Sequence, residues 1–301
     1  MQRAKGLIYD IKHFAVHDGP GVRTTIFLKG CPLRCLWCHS PESQEAKPQI
    51  AFNPNRCIGC GSCVESCQVG ALLSPGNIDA GKCTLCGSCV EECYSNALEM
   101  IGKYVHVVYI LNAVERDRAV IEKSGGGVTI SGGEPLSQPD FTLRLLTTLK
   151  EEGYHTALDT CGHAPKDVLE NMLPYVDLLL YDVKHMNPER HRELTGVSND
   201  TILSNLRHVA KRKKRIHIRM PLIPGVNDSE ENLENTCSFI KSLDMVDTIE
   251  LLPYHRLGVS KYSAINKEFV LKQLLPHEPD ELFRIRDFIA EKGLTVILEG
   301  F

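Results

Sequence analysis

No stretch of this 301-residue sequence is apolar over the roughly 20 residues that a membrane-spanning helix requires, because even the apolar run 176–183 contains two aspartates. Basic residues are not in excess either: 34 Lys and Arg stand against 38 Asp and Glu, a balance that argues against general binding to nucleic acid. The first residues lack the apolar segment of a signal peptide. We therefore expect a cytoplasmic protein that engages neither membranes nor nucleic acid.

Phosphate-binding signatures are also missing: there is no Walker A loop, and the glycines at 125–127 lack the spacing of a dinucleotide-binding fingerprint. Strand-like apolar runs alternate with amphipathic helical patterns, which predicts βαβ units around a parallel sheet. The predicted strands are 24–29, 128–131, 156–159, 178–183, 216–220, 248–252 and 294–298. The predicted helices are 140–152, 165–173, 202–211, 230–243 and 279–292. Reactive groups are expected on the loops that follow the strands.

Cysteine is the residue that this sequence has in excess: there are 13, of which 11 lie between Cys31 and Cys93. In a cytoplasmic chain, closely spaced cysteines indicate metal ligands rather than disulfides. Cys31, Cys35 and Cys38 follow the first predicted strand as C-x3-C-x2-C. Three thiolates can hold three corners of a [4Fe–4S] cluster and leave one iron open. The alternative is a zinc site with His39 as its fourth ligand.

A second cysteine-rich segment consists of two copies of the pattern C-x2-C-x2-C-x3-C, offset by 26 residues. This pattern matches two-cluster bacterial ferredoxins, in which the fourth cysteine of each copy serves the other cluster. The predicted ligand sets are Cys57, Cys60, Cys63 and Cys93 for one cluster, and Cys83, Cys86, Cys89 and Cys67 for the other. Gln68 and Tyr94 replace the proline that usually follows the fourth cysteine. Two zinc sites are the alternative, although zinc favours paired C-x2-C knuckles.

The cysteine runs divide the chain into two predicted domains. Residues 52–100 form a small ferredoxin-like insert, and residues 1–51 and 101–301 form a discontinuous α/β domain around it. Cys161 and Cys237 lie outside the runs, and neither is predicted to bind metal.

The first cysteine motif, with an aromatic residue before its last cysteine, resembles that of the radical S-adenosylmethionine (SAM) superfamily. The preceding segment 17–23, His-Asp-Gly-Pro-Gly-Val-Arg, is similar to the signature of the enzymes that activate glycyl-radical enzymes, the pyruvate formate-lyase activase family. The resemblance covers nearly the whole chain. It implies a partial (β/α)6 barrel of TIM type with the ferredoxin-like module inserted after the first strand.

The resemblance also implies the chemistry. Reductive cleavage of SAM generates a 5′-deoxyadenosyl radical, which installs a glycyl radical on a partner enzyme under anaerobic conditions. The implied cofactors are three [4Fe–4S] clusters, SAM and a Na⁺ or K⁺ ion; no side chain is required as a general base. The implied partners are a glycyl-radical enzyme and an electron donor, flavodoxin or ferredoxin. Two alternatives remain: a radical SAM enzyme acting on a small molecule or peptide, and a ferredoxin-type electron carrier without catalysis.

Site residues follow from the same resemblance, each near the end of a predicted strand. The residues implied to bind SAM are Trp37, Cys38, His39, Gly132, Gly133, Glu134, Asp182, Val183, Lys184, Arg219 and His255. Those implied to hold the monovalent cation are Asp159, Thr160, the carbonyl of Leu180, and Asp182. The two aspartates follow neighbouring strands and are expected side by side, with a cation between their charges. The alternative for each aspartate is a local capping role.

Overall fold

The computed structural model describes residues 5–212, 214–244, 246 and 248–300. The strands are β1 Lys5–Ala15, β2 Arg23–Leu28, β3 Gln49–Phe52, β4 Leu72–Ser74, β5 Asn77–Ile78, β6 Leu98–Ile101, β7 Lys103–His106, β8 Gly127–Gly132, β9 Thr156–Thr160, β10 Leu178–Asp182, β11 Arg215–Leu222, β12 Thr248–Pro253 and β13 Thr295–Leu298. The helices are α1 Ser62–Glu65, α2 Ser88–Glu91, α3 Val107–Glu115, α4 Arg118–Ser124, α5 Pro139–Glu151, α6 Lys166–Met172, α7 Pro188–Thr195, α8 Asp200–Ala210, α9 Glu230–Lys241, α10 Val259–Ala264 and α11 Pro279–Glu291.

A nine-stranded sheet dominates the molecule, in the order β13-β12-β11-β10-β9-β8-β2-β1-β7. The seven strands from β2 to β13 run parallel, while β1 is antiparallel to both β2 and β7. All seven predicted strands and all five predicted helices are present, each within two residues of its expected ends. The prediction of a mostly parallel α/β fold is therefore confirmed. None of the helices in the described ranges is long and apolar enough to cross a membrane.

The two faces of the sheet differ in chemistry. Against the outer face the helices bury one large apolar core, to which α5 contributes Leu145, Leu146 and Leu149. These positions recur at helical spacing, which places them on one face of α5. The inner face carries a much smaller apolar cluster of Ala157, Leu178 and Leu180. The concave side of the partial barrel is therefore left to polar and charged groups.

The insert leaves and rejoins the barrel through the antiparallel pair β3 and β6, which frames the segment that the sequence assigned to a separate module. It has its own small core of Cys63, Leu72, Cys89 and Leu98. Lys29, just after β2, fixes its base, because its buried Nζ donates to the carbonyl of Glu42 and to Gln49 Oε1 at 2.7 Å. Burial lowers the pKa of Lys29 to about 8.

Candidate active site at the carboxyl ends of the parallel strands

The first cysteine motif lies on the loop after β2, and backbone contacts with distant elements hold it. The amide of Arg34 donates to the carbonyl of Thr195 at 2.6 Å, in the last turn of α7. The amide of Gly30 donates to the carbonyl of Ser43, also at 2.6 Å. Trp37 is buried in a satellite apolar cluster with Tyr254 and Tyr262. The side chain of Trp37 therefore holds the loop against this apolar cluster.

The three thiols of this loop suit an iron–sulfur cluster. Cys31, Cys35 and Cys38 are all half-buried. Burial raises the pKa of each thiol, that of Cys35 to about 12, while the charge of Lys184 lowers the pKa of Cys35. Within the described ranges, no three Cys, His, Asp or Glu side chains converge as ligands of one ion. Ligands of a cubane bind different irons and need no such convergence, so the donor set fits a cluster.

Two glycines at the end of β8, Gly132 and Gly133, lie directly against the backbone of β2 and the cysteine loop. A Cβ on Gly132, whose φ is +123°, would lie 2.1 Å from the carbonyl oxygen of Leu28. A Cβ on Gly133 would lie 2.5 Å from the carbonyl oxygen of Gly30. Only glycine therefore allows the ends of β8 and β2 to pack this closely. The two glycines, which the resemblance implies bind SAM, therefore also receive the backbone of the cysteine loop.

Glu134 joins the ends of β8 and β9. Its fully buried carboxylate accepts hydrogen bonds from the hydroxyl of Thr160 at 2.7 Å and from the amide of Cys161 at 2.8 Å. Burial raises the pKa of Glu134, and these hydrogen bonds oppose the rise. Thr160 is one of the residues expected to hold the cation. Its hydroxyl instead donates to Glu134, on the side of β9 opposite to the Asp159 side chain.

Arg219 lies on the inner face among acidic side chains. Its Nη1 is 3.4 Å from Asp159 Oδ2 and its Nε is 2.8 Å from Glu250 Oε2, the latter an ion pair without hydrogen-bond alignment. Its Nη2 donates to the carbonyl of His17 at 2.7 Å. Burial raises the pKa of Asp159 to about 7, Arg219 lowers it, and the charge of Asp182 raises it further. Arg219 therefore brings segment 17–23 and three strands together.

The two aspartates share one face but are not side by side. Asp159 pairs in register with Leu180 of β10, whereas Asp182 pairs with Arg219 of β11, so the carboxylates are offset by two positions. The expectation of adjacent carboxylates was wrong because it considered strand order without register. Asp182 also has a basic partner, since Lys184 Nζ is 2.5 Å from its Oδ2. Burial alone would lower the pKa of Lys184, but Asp182 and nearby thiolates raise it.

Two predicted SAM-binding residues from opposite ends of the chain meet at the rim. The rings of His39 and His255 are in edge contact, with centroids 4.1 Å apart. Burial lowers the pKa of His39 to about 4, and the neighbouring His255 lowers it as well. Val183, by contrast, is buried and donates its amide to the carbonyl of Arg219. The structure thus gathers most of the predicted SAM set around the cysteine loop and the inner face.

Buried asparagines hold the site loops, and the sequence reasoning missed them. Asn205 of α8 donates to the carbonyls of Gly162 and Ala164, on the loop after β9. Asn227 donates to the carbonyl of Lys184 on the loop after β10. Asn205 lies on the apolar face of its helix, and a polar residue in that position was the available signal.

The insert brings its cysteines together in the two predicted sets. A small pocket, partly open to solvent, is lined by all four members of the second set: Cys67, Cys83, Cys86 and Cys89. Burial raises the pKa of Cys89 to about 11, and the charges of its three set members add to the rise. In the first set, burial raises the pKa of Cys63, as do the charges of Cys93, Cys57 and Cys60. Each fourth cysteine therefore lies near the other copy's thiols.

Comparisons with known proteins agree with this geometry. The sequence matches the family model of the radical SAM superfamily over residues 81–237 and that of the 4Fe-4S binding domain over residues 50–73. It is 43% identical to the choline trimethylamine-lyase activating enzyme of Oleidesulfovibrio alaskensis, over 90% of this chain and 91% of that protein. It is 40% identical to the trans-4-hydroxy-L-proline dehydratase activating enzyme of Clostridioides difficile, over 98% and 99%.

Among solved structures, a domain of the pyruvate-formate lyase-activating enzyme from Bacteroides vulgatus superposes with a TM-score of 0.50 at 32% identity. The match covers 58% of this chain and 99% of that domain. A radical SAM methyltransferase from Sphaerobacter thermophilus shares the fold at 15% identity, with a TM-score of 0.55 over 99% of this chain and 76% of the other. The chain therefore belongs to the activating enzymes of glycyl-radical enzymes in the radical SAM superfamily, which cleave SAM reductively to install a glycyl radical on a partner enzyme.

Proposed function

We propose that Cys31, Cys35 and Cys38 hold the [4Fe–4S] cluster to which SAM binds, and that the eight cysteines of the insert hold two more. The arrangement of the thiols carries this proposal: three lie half-buried on one loop, and two sets of four exchange their fourth members. Three clusters correspond to about 12 irons per chain. When bound, the site cluster and SAM supply the electron transfer and bond homolysis that yield the 5′-deoxyadenosyl radical.

The side chains around the loop are proposed to bind and orient SAM. Lys184 keeps its positive charge beside the thiols and is assigned to the SAM carboxylate, as is Arg219. The backbone of segment 132–134 is assigned to the SAM amino group, and His255 with His39 to the rim of the pocket. Trp37 supports the loop, because its buried side chain shares an apolar cluster with Cys35 and Cys38, whereas Val183 packs in the large apolar core at the end of β10.

Alanine substitution of Cys31, Cys35 and Cys38 together tests the assignment. We expect iron after anaerobic reconstitution to fall from about 12 to about 8 per chain, since one cubane is lost. Formation of 5′-deoxyadenosine under dithionite should stop. Cys161→Ala is the matched control, because this buried cysteine neighbours the loop without belonging to the motif. Zinc as the main metal, or 5′-deoxyadenosine from the triple variant, would contradict the proposal.

The insert is proposed to relay electrons to the site cluster from flavodoxin or ferredoxin. Its exposed charges are mostly acidic, which weakens the case for an acidic flavodoxin docking on this face and leaves the choice of donor open. Replacing all eight insert cysteines with alanine should leave about 4 irons per chain. SAM cleavage driven by dithionite should persist, while cleavage driven by a protein donor should stop. Equal loss in both assays would instead make the insert a structural part of the barrel.

We also propose a monovalent cation site at Asp159, the carbonyl of Leu180 and Asp182; Thr160 could contribute only through its backbone, because its hydroxyl donates to Glu134 on the other side of β9. Support comes from the acidic inner face, where Asp18 and Glu250 also lie near Arg219, and from the further charge of the SAM carboxylate. SAM binding should rise with K⁺ at fixed ionic strength, with a bulky organic cation as the balance. Asp159→Ala should weaken both SAM binding and its K⁺ dependence. A flat response in the unmutated protein would remove the site.

A further inference from the structure

The segment after β12 crosses over the cysteine loop, and we call residues 256–275 the strap. It begins with the short 3₁₀ turn Arg256–Gly258 and α10. Two lysines of the strap bind the chain that follows the cysteines: Lys261 Nζ lies 2.7 Å from Glu42 Oε1, and Lys267 Nζ lies 3.2 Å from Glu45 Oε1. The strap thus fixes the segment just beyond the third cysteine to the far end of the sheet.

One strap side chain contacts a cysteine of the motif itself. The hydroxyl of Tyr262 donates to the backbone carbonyl of Cys38 at 2.9 Å. Tyr262 is 7% exposed, and its ring packs edge-on against Phe269, with centroids 5.1 Å apart. Both the ring and the hydroxyl are therefore held, so the hydrogen bond is built into a packed region rather than made by a mobile surface group.

A second tyrosine provides an internal comparison. Tyr254 is also 7% exposed and belongs to the same apolar cluster, together with Trp37. Its buried hydroxyl, however, has no hydrogen-bond partner among the described residues. The two tyrosines therefore share burial and surroundings but differ in the contact with Cys38.

We propose that Tyr262 is a positioning residue for the cluster held by Cys31, Cys35 and Cys38, and that it adjusts the reduction potential of that cluster through the carbonyl of Cys38. The inference rests on the proposed function. Hydrogen bonds and polarity around thiolate ligands set cluster potentials. The hydroxyl offsets the negative end of the Cys38 carbonyl dipole. Without it, the added negative charge of the reduced cluster is less well tolerated, and the potential falls.

The test compares Tyr262→Phe with Tyr254→Phe in the full-length reconstituted protein. The readout is the midpoint potential of the electron paramagnetic resonance signal that changes on SAM addition, because the site cluster is the one with an open iron. We expect Tyr262→Phe to shift this potential to lower values and to alter the signal's g-values. Tyr254→Phe should match the unmutated protein in both. Thermal unfolding of the iron-free proteins should show Tyr262→Phe melting at a lower temperature than Tyr254→Phe, because only Tyr262→Phe breaks a hydrogen bond, whereas Tyr254→Phe removes an unpaired buried hydroxyl. The potential and the g-values therefore carry the comparison, since a loss of packing alone would not shift them.

The outcomes separate this inference from the proposed function. If the unmutated protein shows no SAM-dependent signal, the proposed function fails first and this inference fails with it. If the signal is present but the two variants have equal potentials, Tyr262 is a packing residue and the inference is overturned. Loss of about four irons per chain in Tyr262→Phe alone would support positioning in a stronger form.

Discussion

The insert and the barrel loop both present cysteines, but they hold them by different means. In the insert, the supporting backbone is local: Gly61 and Gly87 adopt left-handed conformations before α1 and α2, and the amides of Ala71 and Ala97 donate to the sulfurs four residues earlier. The barrel loop instead depends on α7, the end of β8 and the strap, which are distant in sequence. The insert's cysteine motifs can therefore be recognised from a short stretch of sequence, whereas the conformation of the barrel loop depends on the rest of the fold.

We expect the largest difference in stability between the two regions when a glycine of each is replaced with alanine. Gly133→Ala would drive a Cβ to within 2.5 Å and 2.7 Å of the carbonyl oxygens of Gly30 and Ser43, and backbone cannot move as a flexible side chain can. We expect a loss of about 3 kcal/mol or more in the free energy of unfolding. The insert control is Gly61→Ala, where φ is +82° and space is open, and it should cost roughly 1–2 kcal/mol. Urea unfolding of the iron-free protein measures both; equal losses would refute the contrast.

We expect a smaller loss of stability when the pH is lowered, and we expect it in the barrel and not in the insert. His191 in α7 is buried beside the carbonyl of Val197 at 2.7 Å, and burial lowers its pKa to about 4. The unfolded chain, with a pKa near 6.5, binds the proton more readily, so stability is full above that value and is lost as pH falls toward 4. We expect a loss of about 2 kcal/mol between pH 7 and pH 5.

The variant His191→Gln should remove the contribution of His191 from urea unfolding curves, and part of the remaining pH dependence belongs to His39, whose pKa burial also lowers to about 4. Protonation should also loosen the last turn of α7, which accepts the amides of Arg34 and Leu36 from the cysteine loop. Hydrogen exchange should therefore quicken in the barrel loop but not in the insert. A pH dependence equal to that of the unmutated protein would show that His191 does not contribute.

We expect the smallest change in stability when a residue of one half-repeat is replaced by the corresponding residue of the other. Ile58 in the first copy corresponds to Thr84 in the second, and Ile58 is 70% exposed. Because each half supports its own thiols locally, Ile58→Thr should change the free energy of unfolding by no more than about 0.5 kcal/mol. Iron content should stay the same. A measurable loss of iron would show that the halves are less independent than their backbone contacts indicate.

Periodicity predicted most of the elements with a regular apolar pattern, although it also missed α3, in which the buried Ile110 and Val114 are spaced four residues apart. β1 was not predicted because its register shifts twice against β2, so buried residues do not alternate along it. α7 was missed because its eight residues include few apolar ones. Its buried face depends on the cysteine loop lying beside it, a contact that no local pattern encodes.

The candidate site divides in the same way. The cysteine sets could be read from spacing, since ligands of one cluster recur at fixed local intervals. The ion pairs of Arg219, the hydrogen bonds of Glu134 and the edge contact of His39 with His255 join residues from different strands. Their geometry depends on strand register, which a sequence without its fold does not specify. The offset of Asp159 and Asp182 shows the consequence, because a shift of two positions along neighbouring strands decides which charges face each other.

The pairing of β3 with β6 has a consequence for how such a chain can be rebuilt. Gln49 lies opposite Ile101, so the two points where the insert departs and returns are neighbouring strands. A short turn could join them without moving the barrel, and a different module could be spliced in at the same place. A gene segment encoding a cysteine-rich module could thus be gained, lost or exchanged at this junction without a change in the strands of the large sheet.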